Sequence, residues 1–241
     1  PPDRATHAPS RAGARQPALR DTFEPAIGPG STVNQVAEDE AEMLDLEQFR
    51  DLNDALEQLA NSRVYEEVLE AAFRRPHAYS LLTVFAQSAC TRFRGLHEGL
   101  VREVAASNPH AAFPLSRAFA ETVPTVAYAH DHPTYVERIM ERRGDQPKEL
   151  KRLQTRTLID HIRPNAPGFS RVYDELCEIT HFGSLALWQP HVLDDERMVQ
   201  WRSEPRWAND REPLIACAQL KEMSTAAQTY LYNFAGSHIL T

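Results

Sequence analysis

Large apolar residues return every three or four positions along most of this chain, a period that places them on one face of a helix. From His77 to Ala105 the stripe is Leu81, Leu82, Phe85, Ala89, Phe93, Leu96, Leu100 and Val104, about seven turns of core-facing surface. Prolines punctuate such stretches, because proline removes a backbone donor and pushes the residue before it out of the α region. With 17 Pro and only 9 Gly in 241 residues, the chain has helix starts and stops but few of the glycine turns that a many-stranded sheet requires. The expected fold class is all-α, a helical bundle.

The same reading sets out the order of elements. Met43, Leu46, Phe49, Leu52, Leu56 and Leu59, with acids between them, predict an amphipathic helix from Val36 to Ala60. A short helix from Val64 to Phe73 ends before Arg74-Arg75-Pro76, and Asn108-Pro109 closes the long helix. The next runs from about Pro114 to Tyr128, with a kink expected at Pro124. Asp131, His132 and Pro133 cap and open a helix to Arg143, and Pro147 opens another to about Ile162. Helices from Phe169 to His181 and from Pro213 to Phe234 complete the set. Between these two, Ser184 to Trp188 and Met198 to Trp201 flank the turn-like Asp194-Asp195 and allow a small β-hairpin within residues 184–201. Residues 1–35, rich in Pro, Ala, Arg and Gly, read as a flexible tail, and 36–241 as a single helical-bundle domain.

Several function classes lose ground on composition. A net charge of −8 does not supply the clustered Lys and Arg of a broad nucleic-acid surface. No apolar run approaches the ~20 residues that cross a bilayer, so no membrane partner is expected. Cys90, Cys177 and Cys217 are odd in number and far apart, which fits reduced thiols and a cytoplasmic location. The Arg- and Ala-containing stretch after Pro1 lacks the apolar centre of a signal peptide. No period of 20–50 residues repeats, which disfavours a solenoid.

A few positions carry chemistry. Arg117 and Glu121 are one turn apart on an otherwise apolar helix, where the carboxylate can fix the guanidinium for a phosphate or carboxylate; an ordinary ion pair has the same spacing. Tyr173, Cys177 and His181 share one helical stripe, with Glu178 three residues before His181. Glu-x-x-His is half of a di-iron ligand set, but a second such motif is missing. Cys177 with His181 has the spacing of a nucleophilic pair, and a structural histidine beside a buried cysteine fits equally. His130-Asp131-His132 offers two imidazoles that point apart, and Asp131 also reads as a cap, so neither a metal nor a cofactor is expected. Trp188, Trp201 and Trp207 beside His191 would either line a pocket or pin a loop. The stretch from Arg138 to Arg156 is the basic concentration of the chain, interleaved with Glu137, Glu141, Asp145 and Glu149.

The long helix, then Leu115-Ser116-Arg117-Ala118-Phe119-Ala120-Glu121, Tyr128 before the Pro133 helix, and Tyr173 through Glu178 to His181 together resemble an uncharacterised bacterial all-helical family. That family is loosely related to the HEPN (higher eukaryotes and prokaryotes nucleotide-binding) superfamily, and the resemblance covers about Ala78 to His181. It implies that the Arg117/Glu121 helix packs on the Tyr173/His181 helix, with no agreed activity attached. HEPN nucleases carry Arg-x4–6-His, a spacing that Arg156 and His161 satisfy, so the resemblance also implies a metal-independent RNase of a defence or toxin system. On a straight helix those two residues are rotated about 140° apart, which works against a joint catalytic role.

The expected function is a binding or regulatory module whose pocket of Arg117, Glu121, Tyr173, Glu178 and His181 takes a small anionic ligand. The alternative is an RNase acting on RNA through Arg156 and His161, and whether the chain is an enzyme is left open. A third reading is structural, a homodimer formed through the helix from Val36 to Ala60.

Overall fold

The long apolar stripe does form a helix, Leu81–Ala105, whose start is set by Ser80. The Ser80 backbone is extended and its hydroxyl accepts from the Leu82 N–H at 3.2 Å, satisfying one of the first-turn donors. The computed structural model describes residues 44–62, 80–140, 153–181, 183, 186–187, 189–193 and 198–239. Within these the helices are α1 (Leu52–Asn61), α2 (Leu81–Ala105), α3 (Pro109–Asp131), α4 (Tyr135–Met140), α5 (Thr155–Ile162), α6 (Phe169–Thr180) and α7 (Glu212–His238). The fold is all-α apart from one small ribbon.

Helix α2 ends in a left-handed cap. Ser107 N–H donates to Val104 O at 3.0 Å and Asn108 N–H to Glu103 O at 2.9 Å, the paired bonds of a Schellman motif. The residue between must take positive φ, and Ser107 has φ 54°. A Cβ is strained there and glycine is not. Ser107→Gly is therefore expected to stabilise the protein by about 0.5–1 kcal/mol, after the glycine's larger unfolded-state entropy is subtracted. The urea midpoint reads this directly, and a midpoint that falls would contradict it.

Helix α3 is the centre of the assembly. It packs against α2, α7, α5 and α6, while α2 and α7 also pack on each other and α1 lies on both. This position explains its composition: Phe119, Ala120, Val123, Val126, Ala127 and Ala129 are buried, because neighbouring helices cover α3 on most sides along this stretch. Gly99 of α2 admits Leu115 of α3, since a Cβ there would lie 3.3 Å from Leu115 Cδ1. Phe93 and Phe119 meet across the same interface with ring centroids 4.9 Å apart. One connected apolar core extends from Phe49 to Ala235.

Several boundaries depart from the sequence reading. Helix α3 begins at Pro109 rather than Pro114, because a proline at the first helical position gives up an N–H that would be unpaired anyway. The helix then continues through Pro114 and Pro124, held by tertiary burial on several sides. The first amphipathic segment is helical only from Leu52. Asp51 is extended and its carboxylate accepts from Asp54 N–H at 2.9 Å, so the cap starts the helix there, while 44–50 form turns. The face of α1 that carries Ala55 and Leu59 is buried within its own chain. Helix α7 extends four residues past Phe234, to His238. Residues 1–43, the Val64–Phe73 segment, Pro147 and Trp188 lie outside the described residues.

Between α6 and α7 two short strands, β1 (His191–Leu193) and β2 (Val199–Trp201), pair antiparallel with His191 opposite Trp201 and Leu193 opposite Val199. The first strand thus lies after the Ser184–Trp188 segment assigned to it from sequence. Ala186 and Leu187 are helical instead, with Leu187 N–H bonded to Gly183 O at 3.0 Å. No described helix is long and apolar enough to cross a membrane.

Candidate functional site

Packing α6 on α3 brings two short polar stripes together. On α3, Arg117 and Glu121 stand one turn apart, with Arg117 Nη2 3.1 Å from Glu121 Oε1. From α6, the Tyr173 hydroxyl donates to the same Glu121 Oε1 at 3.1 Å, and Arg117 Nη1 lies 2.8 Å from Nε2 of His181, the residue that caps α6. The guanidinium carbon also sits over the Tyr173 ring, 5.9 Å from its centroid. Four sequence-selected residues therefore form one hydrogen-bonded cluster across two helices. The fifth, Glu178, does not join it in the same way: it is exposed, and its carboxylate folds back against Gly183, where a Cβ would clash with Glu178 Oε1.

The cluster is graded from inside to outside. Tyr173 is buried, the Arg117 and Glu121 side chains are 19% and 28% exposed, and His181 is exposed. Arg117 Nε is buried with no hydrogen-bond partner among the described residues. Burial works against the Arg117 charge, yet Tyr173, Cys177 and Glu121 outweigh it and the guanidinium pKa rises. Burial and a hydrogen bond with Cys177 push the Tyr173 phenol up to about 12, with Arg117 pulling the other way. Tyr173 is therefore a neutral donor at physiological pH.

The hydrogen-bond chemistry also fixes the state of His181. A guanidinium has only donors, so Arg117 Nη1 must donate to Nε2, and the imidazole is neutral with its proton on Nδ1. An inner carboxylate orients the cation and an outer, exposed imidazole accepts from it.

Helix α5 holds the other two candidates, and they have different partners. Arg156 Nη1 reaches both carboxylate oxygens of Asp174 on α6, at 2.8 and 3.0 Å, and Arg156 Nε lies 3.7 Å from Asp160. His161 Nε2 bonds Asp131 Oδ2 at the end of α3 at 2.8 Å. Its ring packs edge-on to Tyr128, with centroids 4.9 Å apart, and 5.6 Å from His132. Asp131 thus serves as the partner of His161 in addition to ending α3. Among the described residues no three His, Cys, Asp or Glu side chains form a group able to hold a metal.

Of the tryptophans, Trp207 packs edge-on against Phe113 at 5.6 Å and pins its loop to α3, whereas Trp201 is 71% exposed on β2. From the basic stretch, Arg138 lies on α4 and Arg156 on α5, while 141–152 are outside the described residues. Sequence reasoning missed His97, a buried imidazole within an otherwise apolar stripe, and a cavity between α6 and α7. The only sequence signal for His97 was its place four residues after Phe93 and three before Leu100 on the buried face. Comparison of the chain with family models, with curated proteins and with solved structures finds no match.

Proposed function

We propose that the protein is a binding or regulatory module that takes a small anion at Arg117, between the guanidinium and His181. What carries the reading is the pairing of a guanidinium on a part-buried side chain, oriented from within by Glu121 and Tyr173, with an exposed imidazole as its outer partner. An anion entering between Arg117 Nη1 and His181 Nε2 replaces an acceptor with an acceptor on the arginine side. On the histidine side it meets a lone pair, so the His181 ring must change its hydrogen-bond role, by turning or by carrying its proton on Nε2, to donate to the anion. Glu121 keeps the fork in place but also repels the anion, which favours a small, singly placed ligand over an extended polyanion.

Calorimetric titration with inorganic phosphate tests this. The expected result is saturable binding, weakened about tenfold or more in Arg117→Lys, which loses the planar fork. Absence of saturable binding, or binding indifferent to Arg117→Lys, would overturn the proposal. The RNase reading gains no support from α5, where Arg156 is engaged by Asp174 and His161 by Asp131.

A further inference from the structure

All of β2, Val199, Gln200 and Trp201, is exposed, so neither face of the strand is covered by the bundle. The ladder to β1 fixes where its backbone groups point. Arg202 N–H donates to Pro190 O at 2.8 Å, and antiparallel pairs alternate between bonded and non-bonded, so Val192 with Gln200 is the next bonded pair. His191 opposite Trp201 and Leu193 opposite Val199 are then the non-bonded pairs. Val199 and Trp201 therefore turn their N–H and C=O groups to the outer edge of β2, where no described strand pairs with them. Their side chains share one face and are 53% and 71% exposed.

Such an edge is a template for another strand, and native edges are commonly closed by a charge, a proline or a bulge. Residues 199–201 carry no charge and no proline, and their register is regular. A ribbon of two strands is also below the size that is stable by itself. The edge is complementary to itself. Two copies of β2 set antiparallel about Gln200 place Val199 opposite Trp201 of the partner subunit, so both members of each pair point their backbone groups inward and exchange hydrogen bonds. A β-branched and an aromatic side chain then meet on one face at each of these pairs, and from Met198 to Arg202 no like charges oppose each other. We propose that the protein forms a homodimer through β2, its two-fold axis at Gln200 joining both ribbons into one antiparallel sheet. The apolar face of α1, by contrast, is occupied within its own chain. A contact this short buries less than the roughly 1,200 Å² of stable complexes, so the dimer is weak and reversible, with a Kd on the order of tens of micromolar.

Sedimentation velocity of the full chain, from about 1 to 300 µM, tests this. The expected result is a shift from monomer to dimer as concentration rises. Val199→Pro removes an outward N–H without touching the ladder to β1 and should weaken association about tenfold or more; Trp201→Lys should do the same through the side chain. Circular dichroism and the thermal midpoint of both variants separate lost pairing from lost fold. Gln200→Cys reads the register, because across the axis the two cysteines form a non-bonded pair with Cα atoms about 4.5 Å apart, within reach of a disulfide. On air oxidation it should cross-link well above the wild-type chain, whose Cys90 and Cys177 set the background, and Met198→Cys should not. A chain that stays monomeric throughout, a dimer that both variants leave intact, or cross-linking through Met198→Cys and not through Gln200→Cys would each overturn the proposal.

Discussion

Phe93→Ala is expected to remove about 3–5 kcal/mol of stability, the range for a fully buried aromatic whose site cannot collapse. Phe93 has no exposed surface, and its ring stacks tilted on Phe119 at 4.9 Å, where α2 meets the central helix. Truncation loses the transfer free energy of the ring, leaves a void, and removes the aromatic contact, worth about 1 kcal/mol beyond area. Against a total of about 5–15 kcal/mol for a domain, this is a large fraction. Urea denaturation of Phe93→Ala, Phe119→Leu and the double variant measures it. A loss below about 1 kcal/mol for Phe93→Ala would mean that the α2–α3 interface is not packed as described. The same interface positions Arg117 and Glu121, so the variant should also lower anion binding at that site.

The second large effect concerns His97. This imidazole is 6% exposed and joins three helices: Nε2–H donates to Leu59 O of α1 at 2.9 Å, and Nδ1 accepts from Ser224 Oγ of α7 at 3.1 Å. Accepting at Nδ1 requires the neutral ring, whereas the bond to Leu59 O is made by either form. Burial lowers its pKa, more than the Leu59 bond and the nearby Glu98 raise it. A base with a depressed folded pKa binds protons less readily when folded than when unfolded. Its contribution is thus complete above the unfolded imidazole value of about 6.5 and is lost as pH falls from there through the lower folded value. At pH 7.5, His97→Leu should cost about 1–3 kcal/mol, since it deletes two buried hydrogen bonds while keeping bulk. Between pH 7.5 and 5 the gap between wild type and variant should shrink. A gap that widens on acidification would contradict this account of the imidazole.

How much of this was legible in the sequence differs by kind of feature. The helices α2, α6 and α7 were, because their stripes repeat over several turns and Pro, Ser or Gly stands near their ends. The start of α3 was not, since a proline after Asn108 reads equally as a stop and as a first helical residue, and tertiary burial decides. The first strand was misplaced because Ala186 and Leu187 have no period that separates strand from a helical turn. At the site, i and i+4 spacing put Arg117 with Glu121 and Tyr173 with His181, but only the packing of α6 on α3 joins the two pairs. Glu178 shares the stripe's neighbourhood in sequence and yet turns to Gly183, a choice made by the chain after α6. The Asp131–His161 and Asp174–Arg156 pairs join helices 30 and 18 residues apart, beyond any local pattern.

The central claim is that an exposed His181 accepts from a part-buried Arg117 and yields that place to an anion. Long-range ¹H–¹⁵N spectra of the histidine side chains read this state directly. The account predicts that His181 shows the Nδ1–H form with Nε2 as acceptor in the free protein, and that its ring nitrogen signals move as inorganic phosphate is added. An Nε2–H form in the free protein, or a His181 signal that phosphate leaves unmoved, would contradict it.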